Sequence, residues 1–225
     1  MTEQDQELWD RCASDMTYFI DNFITASFSS PSHVTIPLPS NDDLSRVISR
    51  HTHTIFETNG SYMADNSYVL MGCAIWHAMF NPKRRVLFAA DWLTAAKYYK
   101  TTIVQLIDYL PEFMRSRVAT NRKDTSTIYF DQHSSITVSC HQEYGVSNKM
   151  CHVLLVNDTG GTFFTLHGYL SGMKKISEIP HVIAFHNKAF MRDELKEHAR
   201  KFFMIAKQPP SLKLPFDDNR VFFTR

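Results

Sequence analysis

The chain has 225 residues, 44% of them hydrophobic, with 17 Phe, 9 Tyr and a formal net charge of +1. That length suits one large domain with a sizeable core and is short for two, and the apolar content excludes a disordered chain. Near-neutrality removes any bulk attraction to nucleic acid, so a DNA contact would need a local patch.

Residues 4–26 carry Leu8, Trp9, Cys12, Met16, Phe19, Ile20, Phe23 and Ile24 at three- and four-residue spacings, which predicts one amphipathic helix. A connector with Pro31, Pro37 and Pro39 follows. A second helix is then expected, capped near Ser40 or Asn41, with Asp42 and Asp43 at the positive end of its dipole and an end near His51. Thr54 to Thr58 reads as a short buried strand, Asn59 to Asn66 as a loop, and Ser67 to Phe80 as a helix stopped by Asn81-Pro82. Val86 to Ala90, inside a strand that starts at Arg85, is a continuous apolar run of the kind a central parallel strand needs when both its faces are covered. A helix from Leu93 to Leu110 is ended by Pro111.

Further along, Thr127 to Asp131 and Ser135 to Ser139, joined by His133-Ser134, read as a β-hairpin inserted into the α/β pattern. Cys151 to Asp158 is a third core strand ending in polar residues. A short helix at Leu170 to Ile176, a strand at His181 to Phe185 and a helix at Lys188 to Lys207 complete the pattern. Residues 1–207 are therefore expected to form one α/β domain, a mainly parallel sheet with helices on both faces. Residues 208–225 form a tail with Pro209-Pro210 and apolar beads at Leu212, Leu214, Phe216, Val221, Phe222 and Phe223. It is read as either a strap on its own domain or an exposed binding segment.

Cys12, Cys73, Cys140 and Cys151 show no CxxC pair and no regular spacing, which predicts reduced thiols and no structural zinc. His51 and His53 flank the first strand and His181 and His186 the last, but no carboxylates stand at ligand spacing beside them, so no metal is expected. No apolar run approaches the roughly 18 residues of a membrane span. The polar start Thr2-Glu3-Gln4-Asp5-Gln6 does not read as a signal peptide, and the expected location is the cytosol.

Residues 54 to 90 form a strand, a loop, a helix and a second strand, the unit in which a P-loop ATPase holds its phosphates. The loop that would read GxxxxGK[ST] reads Asn59-Gly60-Ser61-Tyr62-Met63-Ala64-Asp65-Asn66-Ser67. Together with Cys12 to Ile24, Ala74 to Pro82, Arg85 to Ala90, Ala95-Ala96-Lys97, Val153 to Asp158 and the strand at His181, this order of elements resembles the ATPase domain of the large terminase subunit, the DNA-packaging motor of tailed bacteriophages. The likeness runs over roughly residues 8 to 200. It implies a P-loop fold, and it implies that the ATP site is degenerate. Matching the family pattern puts Asp65 at the last P-loop glycine, Asn66 at the lysine and Ser67 at the magnesium-binding hydroxyl. Tyr62 falls on the family's early arginine and Asn41 near its adenine-side glutamine. Asn157 replaces the magnesium-binding aspartate, and Asp158 the catalytic glutamate. Asp65 would set negative charge beside phosphate, and neutral Asn157 is a poor partner for hydrated Mg²⁺. The resemblance further implies that the family's nuclease activity is absent.

The expectation is a pseudo-ATPase without cofactor, working in the host cytosol by binding another phage or host protein, itself terminase-related in one version, as regulator, decoy or inhibitor of packaging or replication. Candidate contacts are Tyr98, Tyr99, Arg115 and Arg117, of residue types enriched at interface centres, and a homo-oligomer is one geometry. The alternative is a DNA-binding accessory protein using Lys83, Arg84, Arg85, Arg115 and Arg117, with Arg122, Lys123, Lys174 and Lys175 as further basic residues. A third is an enzyme with a site rebuilt from Asn157, Asp158 and His186.

Overall fold

A computed structural model describes residues 1–25, 53–58, 64–90, 93–118, 126–140, 151–158, 181–187 and 220–224; the side chains of 53–58, 64–66, 158, 182, 184–187 and 220–224 are outside that description. The expected helices near 42–51, 170–176 and 188–207 lie outside the described residues, as do Tyr62, Asn41, His51, Arg122, Lys123, Lys174 and Lys175.

Seven strands form one sheet: β1 (His53–Thr58), β2 (Arg85–Ala90), β3 (Thr127–Tyr129), β4 (Ser135–Cys140), β5 (Val153–Asp158), β6 (His181–Asn187) and β7 (Arg220–Thr224), in the spatial order β3-β4-β2-β5-β6-β1-β7. The inner pairs β4·β2, β2·β5, β5·β6 and β6·β1 are parallel, and the edge strands β3 and β7 are antiparallel to their neighbours. The mainly parallel α/β sheet expected from the apolar runs is thus present.

Two boundaries differ from expectation, and the end of the tail lies on the sheet as a strap. The hairpin is not an insertion, because β4 pairs with β2 along its whole length, from Arg85 opposite Ser135 to Ala90 opposite Cys140. Its apolar alternation, with Ile136 and Val138 buried, matches a strand with one face on the core, and β3 closes that edge. The helix after β1 starts at Ala64 rather than Ser67, so Asp65 and Asn66 belong to a helical turn. The last residues of the tail form β7, with Ile55 opposite Phe222 on β1.

The N-terminal stretch is not one helix. α1 (Glu3–Ser14) opens on a capping box between Thr2 and Asp5, which holds the Asp5 carboxyl below its usual range through the Thr2 backbone and hydroxyl hydrogen bonds. Asp15 then leaves helical geometry at φ −134°, ψ 98° and uses its carboxylate to cap α2 (Met16–Phe19) at the Tyr18 amide, 3.0 Å away. The chain continues as a π-helix over Ile20–Thr25. The break turns Phe19, Ile20 and Ile24 inward, all fully buried, against α3 (Ala64–Phe80). Gly72 of α3 makes the approach possible: a Cβ there would sit 3.0 Å from Ile20 Cγ1 and 3.2 Å from Ile24 Cγ1. The indole nitrogen of Trp76 donates to the Cys12 carbonyl at 2.8 Å, and Phe80 packs on Trp9 and Phe19.

α3 and α4 (Leu93–Tyr109) cover one face of the sheet. Val86, Phe88, Ile136, Val138, Val153 and Leu155 face them in a single buried cluster. The alternate residues Leu87, Ala89, Leu154 and Val156 are buried as well, so both faces of the central strands are covered, as parallel strands require. α5 (Glu112–Arg115) follows Pro111, next to the first residues of the strands.

Candidate functional site

The sheet has a topological switch between β2 and β5. From β2 the chain moves outward to β4, and from β5 it moves the other way to β6. Sheets of this kind place their sites outside the carboxyl ends of the strands at such a point. Register sets Asn157 opposite Ala90 there. Alternation along β5 puts Asn157 on the same face as Val153 and Leu155, under α3 and α4, and the small Ala90 leaves room beside it.

Asn157 is 2% exposed and Ser67, in α3, 5%. The Asn157 amide nitrogen donates to Ser67 Oγ at 2.7 Å and to the Tyr99 hydroxyl at 2.9 Å. Tyr99 reaches in from the second turn of α4, its ring 5.3 Å from that of Phe88. One primary amide has two N–H donors, and here each meets a hydroxyl oxygen. The three side chains tie β5, α3 and α4 together. Ser67 and Asn157, ninety residues apart, are both singled out by the sequence and are brought together. Asp158 is the last residue of β5, paired with His186 on β6; the side chains of both, and those of Asp65 and Asn66, are outside the description.

Chemically, a hydrated Mg²⁺ ion needs anionic or carbonyl oxygens. At Asn157 the atoms facing the serine are N–H donors, whose positive ends repel a cation. Among the described residues no group of three His, Cys, Asp or Glu is placed to hold a metal. The four cysteines are free. Burial pushes the Cys73 thiol up to about 12 and those of Cys12 and Cys151 up to about 11, so these three are neutral thiols and not nucleophiles.

The partner-binding candidates do not form one patch. Tyr98 is 56% exposed, whereas Tyr99 is half-buried and spends its hydroxyl on Asn157. Arg115 and Arg117 lie past the far end of α4, and at 1.5 Å per residue roughly 16 Å of helix separates Tyr98 from Tyr109 alone. Arg115 pairs with Glu112. Arg117 pairs with Asp131 at 3.4 Å and lies over the Trp9 ring, 5.3 Å from its centroid. Lys83, Arg84 and Arg85 occupy the turn into β2, at the opposite end of the strands from Asn157, and no ion pair to a described carboxylate engages them. The DNA-binding candidates are therefore two kinds of residue: arginines paired with a neighbouring carboxylate, and a basic turn that no described carboxylate pairs.

His77 is a residue that the sequence does not single out. It sits on the buried side of α3, one turn after Cys73, and that spacing is the available signal. Its ring lies 5.2 Å from that of His181, and burial, reinforced by His181 and Arg84, holds its pKa down at about 3.

No family model matches the chain, and no curated protein matches it. Among solved structures it is similar to the large terminase of bacteriophage HK97, with a TM-score of 0.59 and 11% sequence identity over 77% of this chain. The chain spans 37% of the length of that protein. Over the matched residues the chain has the α/β fold of that large terminase.

Proposed function

We propose that the chain is a pseudo-ATPase of terminase-like fold that acts by binding a protein partner in phage DNA packaging or replication, as a regulator, decoy or inhibitor. The observation that carries this reading is the pair of hydrogen bonds from Asn157 to Ser67 and Tyr99. In the terminase-like arrangement Ser67 and residue 157 would share a magnesium ion. Here an amide N–H of Asn157 reaches Ser67, and the same nitrogen also donates to the Tyr99 hydroxyl. Replacing those bonds with a metal would leave the amide donors facing a cation in a buried site, which is unfavourable on both desolvation and charge. With Asn66 at the lysine position, no cation on the loop would neutralise the terminal phosphates.

Titration calorimetry with ATP and Mg²⁺ tests the reading. The expected result is no saturable heat and no turnover. Saturable binding that Ser67→Ala or Asp158→Ala abolishes would overturn it. The protein contact is tested by affinity capture of a terminase subunit with Tyr98→Ala and with Arg115→Ala. Undiminished capture by both variants would place the contact elsewhere.

A DNA-binding accessory role is the second reading, favoured by the turn at Lys83, Arg84 and Arg85, which no described carboxylate pairs. It requires binding indifferent to sequence, weakening by roughly 0.9 log unit per log unit of salt for each phosphate engaged. A flat salt response would remove it.

A further inference from the structure

The amino-terminal edge of the sheet holds polar atoms that the fold leaves unmatched. His77 is 7% exposed, and among the described residues its Nδ1 has no hydrogen-bond partner. The amide nitrogen of Asn81, four residues on, is buried and has none there either. Such groups are nearly always satisfied in folded proteins, by the chain or by something bound to it.

The surroundings carry one sign of charge. His181, at the start of β6, stands against His77 with ring centroids 5.2 Å apart. Arg84, in the turn between α3 and β2, lies close enough to act on both His77 and His152. Arg85 acts on His152 as well, and its backbone N–H donates to His152 Nδ1 at 3.0 Å. The charged or titratable groups acting on His77 are His181 from β6 and Arg84 from the turn, with the Trp76 ring edge-on at 5.1 Å. None of the described groups acting on either histidine is a carboxylate. The turn itself is held in place: Arg84 N–H donates to Ser134 Oγ, which donates to the Asn81 carbonyl at 2.8 Å. Lys83 adopts φ 58° beside it, and its N–H donates to the Gln132 carbonyl.

We propose that this edge is a binding site for an oxyanion of the phosphate class, held by the Asn81 amide N–H, the Arg84 guanidinium and the His77 Nδ1–H, with His181 alongside. Each group is a donor or a cation, so the set suits an acceptor-only, negatively charged ligand. A metal cation does not fit: Arg84 repels it, and no three metal-ligating side chains converge among the described residues. The site lies at the far end of the strands from Asn157 and stands independently of the pseudo-ATPase reading.

The test is a titration of the full chain with inorganic phosphate in a buffer without oxyanions, read by calorimetry and by NMR of the histidine rings. Saturable one-site binding is expected, with the His77 and His181 resonances moving together. Arg84→Gln and Asn81→Ala should each weaken it about tenfold, as loss of one good hydrogen bond to an anion does. Lys97→Gln, which removes a cation near the carboxyl end of the strands, should leave it unchanged. Asn81→Ala removes an amide nitrogen that has no partner among the described residues, so it should remain folded and keeps the test interpretable. Absence of saturable binding overturns the proposal, as does equal affinity in the wild type and both variants. A crystal structure grown in phosphate that shows only water between His77 Nδ1 and Asn81 does so too. A short DNA duplex added as competitor identifies the source: displacement of phosphate assigns the anion to a polymer backbone, and coexistence assigns it to the free ion.

Discussion

The two ends of the parallel strands treat buried polar groups in opposite ways. At the carboxyl end both donors of Asn157 are matched, to Ser67 and Tyr99. At the amino end His77 Nδ1 and Asn81 Nδ2 are matched by nothing within the described fold. A closed cluster gains nothing from a ligand that must first break its bonds, whereas an open one gains the bonds it lacks. At the end where a P-loop fold would hold nucleotide the Asn157 amide donors are thus already taken, and at the opposite end two buried polar atoms are matched by nothing among the described residues.

The largest expected effect comes from the open end. His77 titrates at about 3 in the folded chain against an ordinary value of 6.5, so the unfolded chain takes up the proton first. Stability from this group is complete above about pH 6.5 and falls as pH drops toward 3, by roughly 1.4 kcal/mol per pH unit. Denaturant unfolding at a series of pH values should show that slope, and His77→Phe should flatten it. An unchanged slope in the variant would mean that His77 is not the buried titrating group.

At the closed end, Asn157→Ala should cost about 2 kcal/mol, because it strips a partner from two hydroxyls in a buried setting. Asn157→Asp sharpens the comparison further. The carboxylate can accept from both hydroxyls but is a buried charge, so the variant should be less stable at neutral pH and recover on acidification. Thermal unfolding with and without Mg²⁺ should coincide. A large Mg²⁺ stabilisation confined to the aspartate variant would mean that the closed end still has the geometry of a metal site.

The smallest effect separates two adjacent side chains. Tyr99→Phe should lose about 1 kcal/mol by leaving one Asn157 N–H unmatched, while Tyr98→Phe should stay within about 0.5 kcal/mol. Equal effects at the two positions would show that the Tyr99 hydroxyl does not contribute to the cluster.

How far the site is legible in the sequence depends on the range of the interaction that builds it. Ser67 and Asn157 can be paired from the sequence because each lies in a recognisable element of the terminase pattern. Tyr99 cannot. Tyr98 and Tyr99 are one residue and about 100° apart on the same helix, and both are plausible surface aromatics until α4 is docked on β2 and one of them is turned toward Phe88. The break at Asp15 is hidden for a related reason. The apolar spacing of residues 8–24 suits a continuous helix, and the capped break at Asp15 goes with the close packing of Ile20 and Ile24 against Gly72.

The sequence by itself determined the core strands and the long helices. Val86 to Ala90 and Val153 to Val156 are apolar without interruption, and only a strand covered on both faces can bury such a run; Asn81-Pro82 and Pro111 end their helices by local sterics. Tertiary structure alone decided which strands are neighbours. The parallel pairing of β4 with β2 and the placing of β7 beside β1 rest on backbone hydrogen bonds between distant segments, and any strand can offer those. It also decided which polar side chains meet. Ser67, Tyr99 and Asn157 come from three elements, and His77, Arg84 and His181 from two elements and a turn, so neither cluster exists until the sheet is assembled and the helices are laid across it.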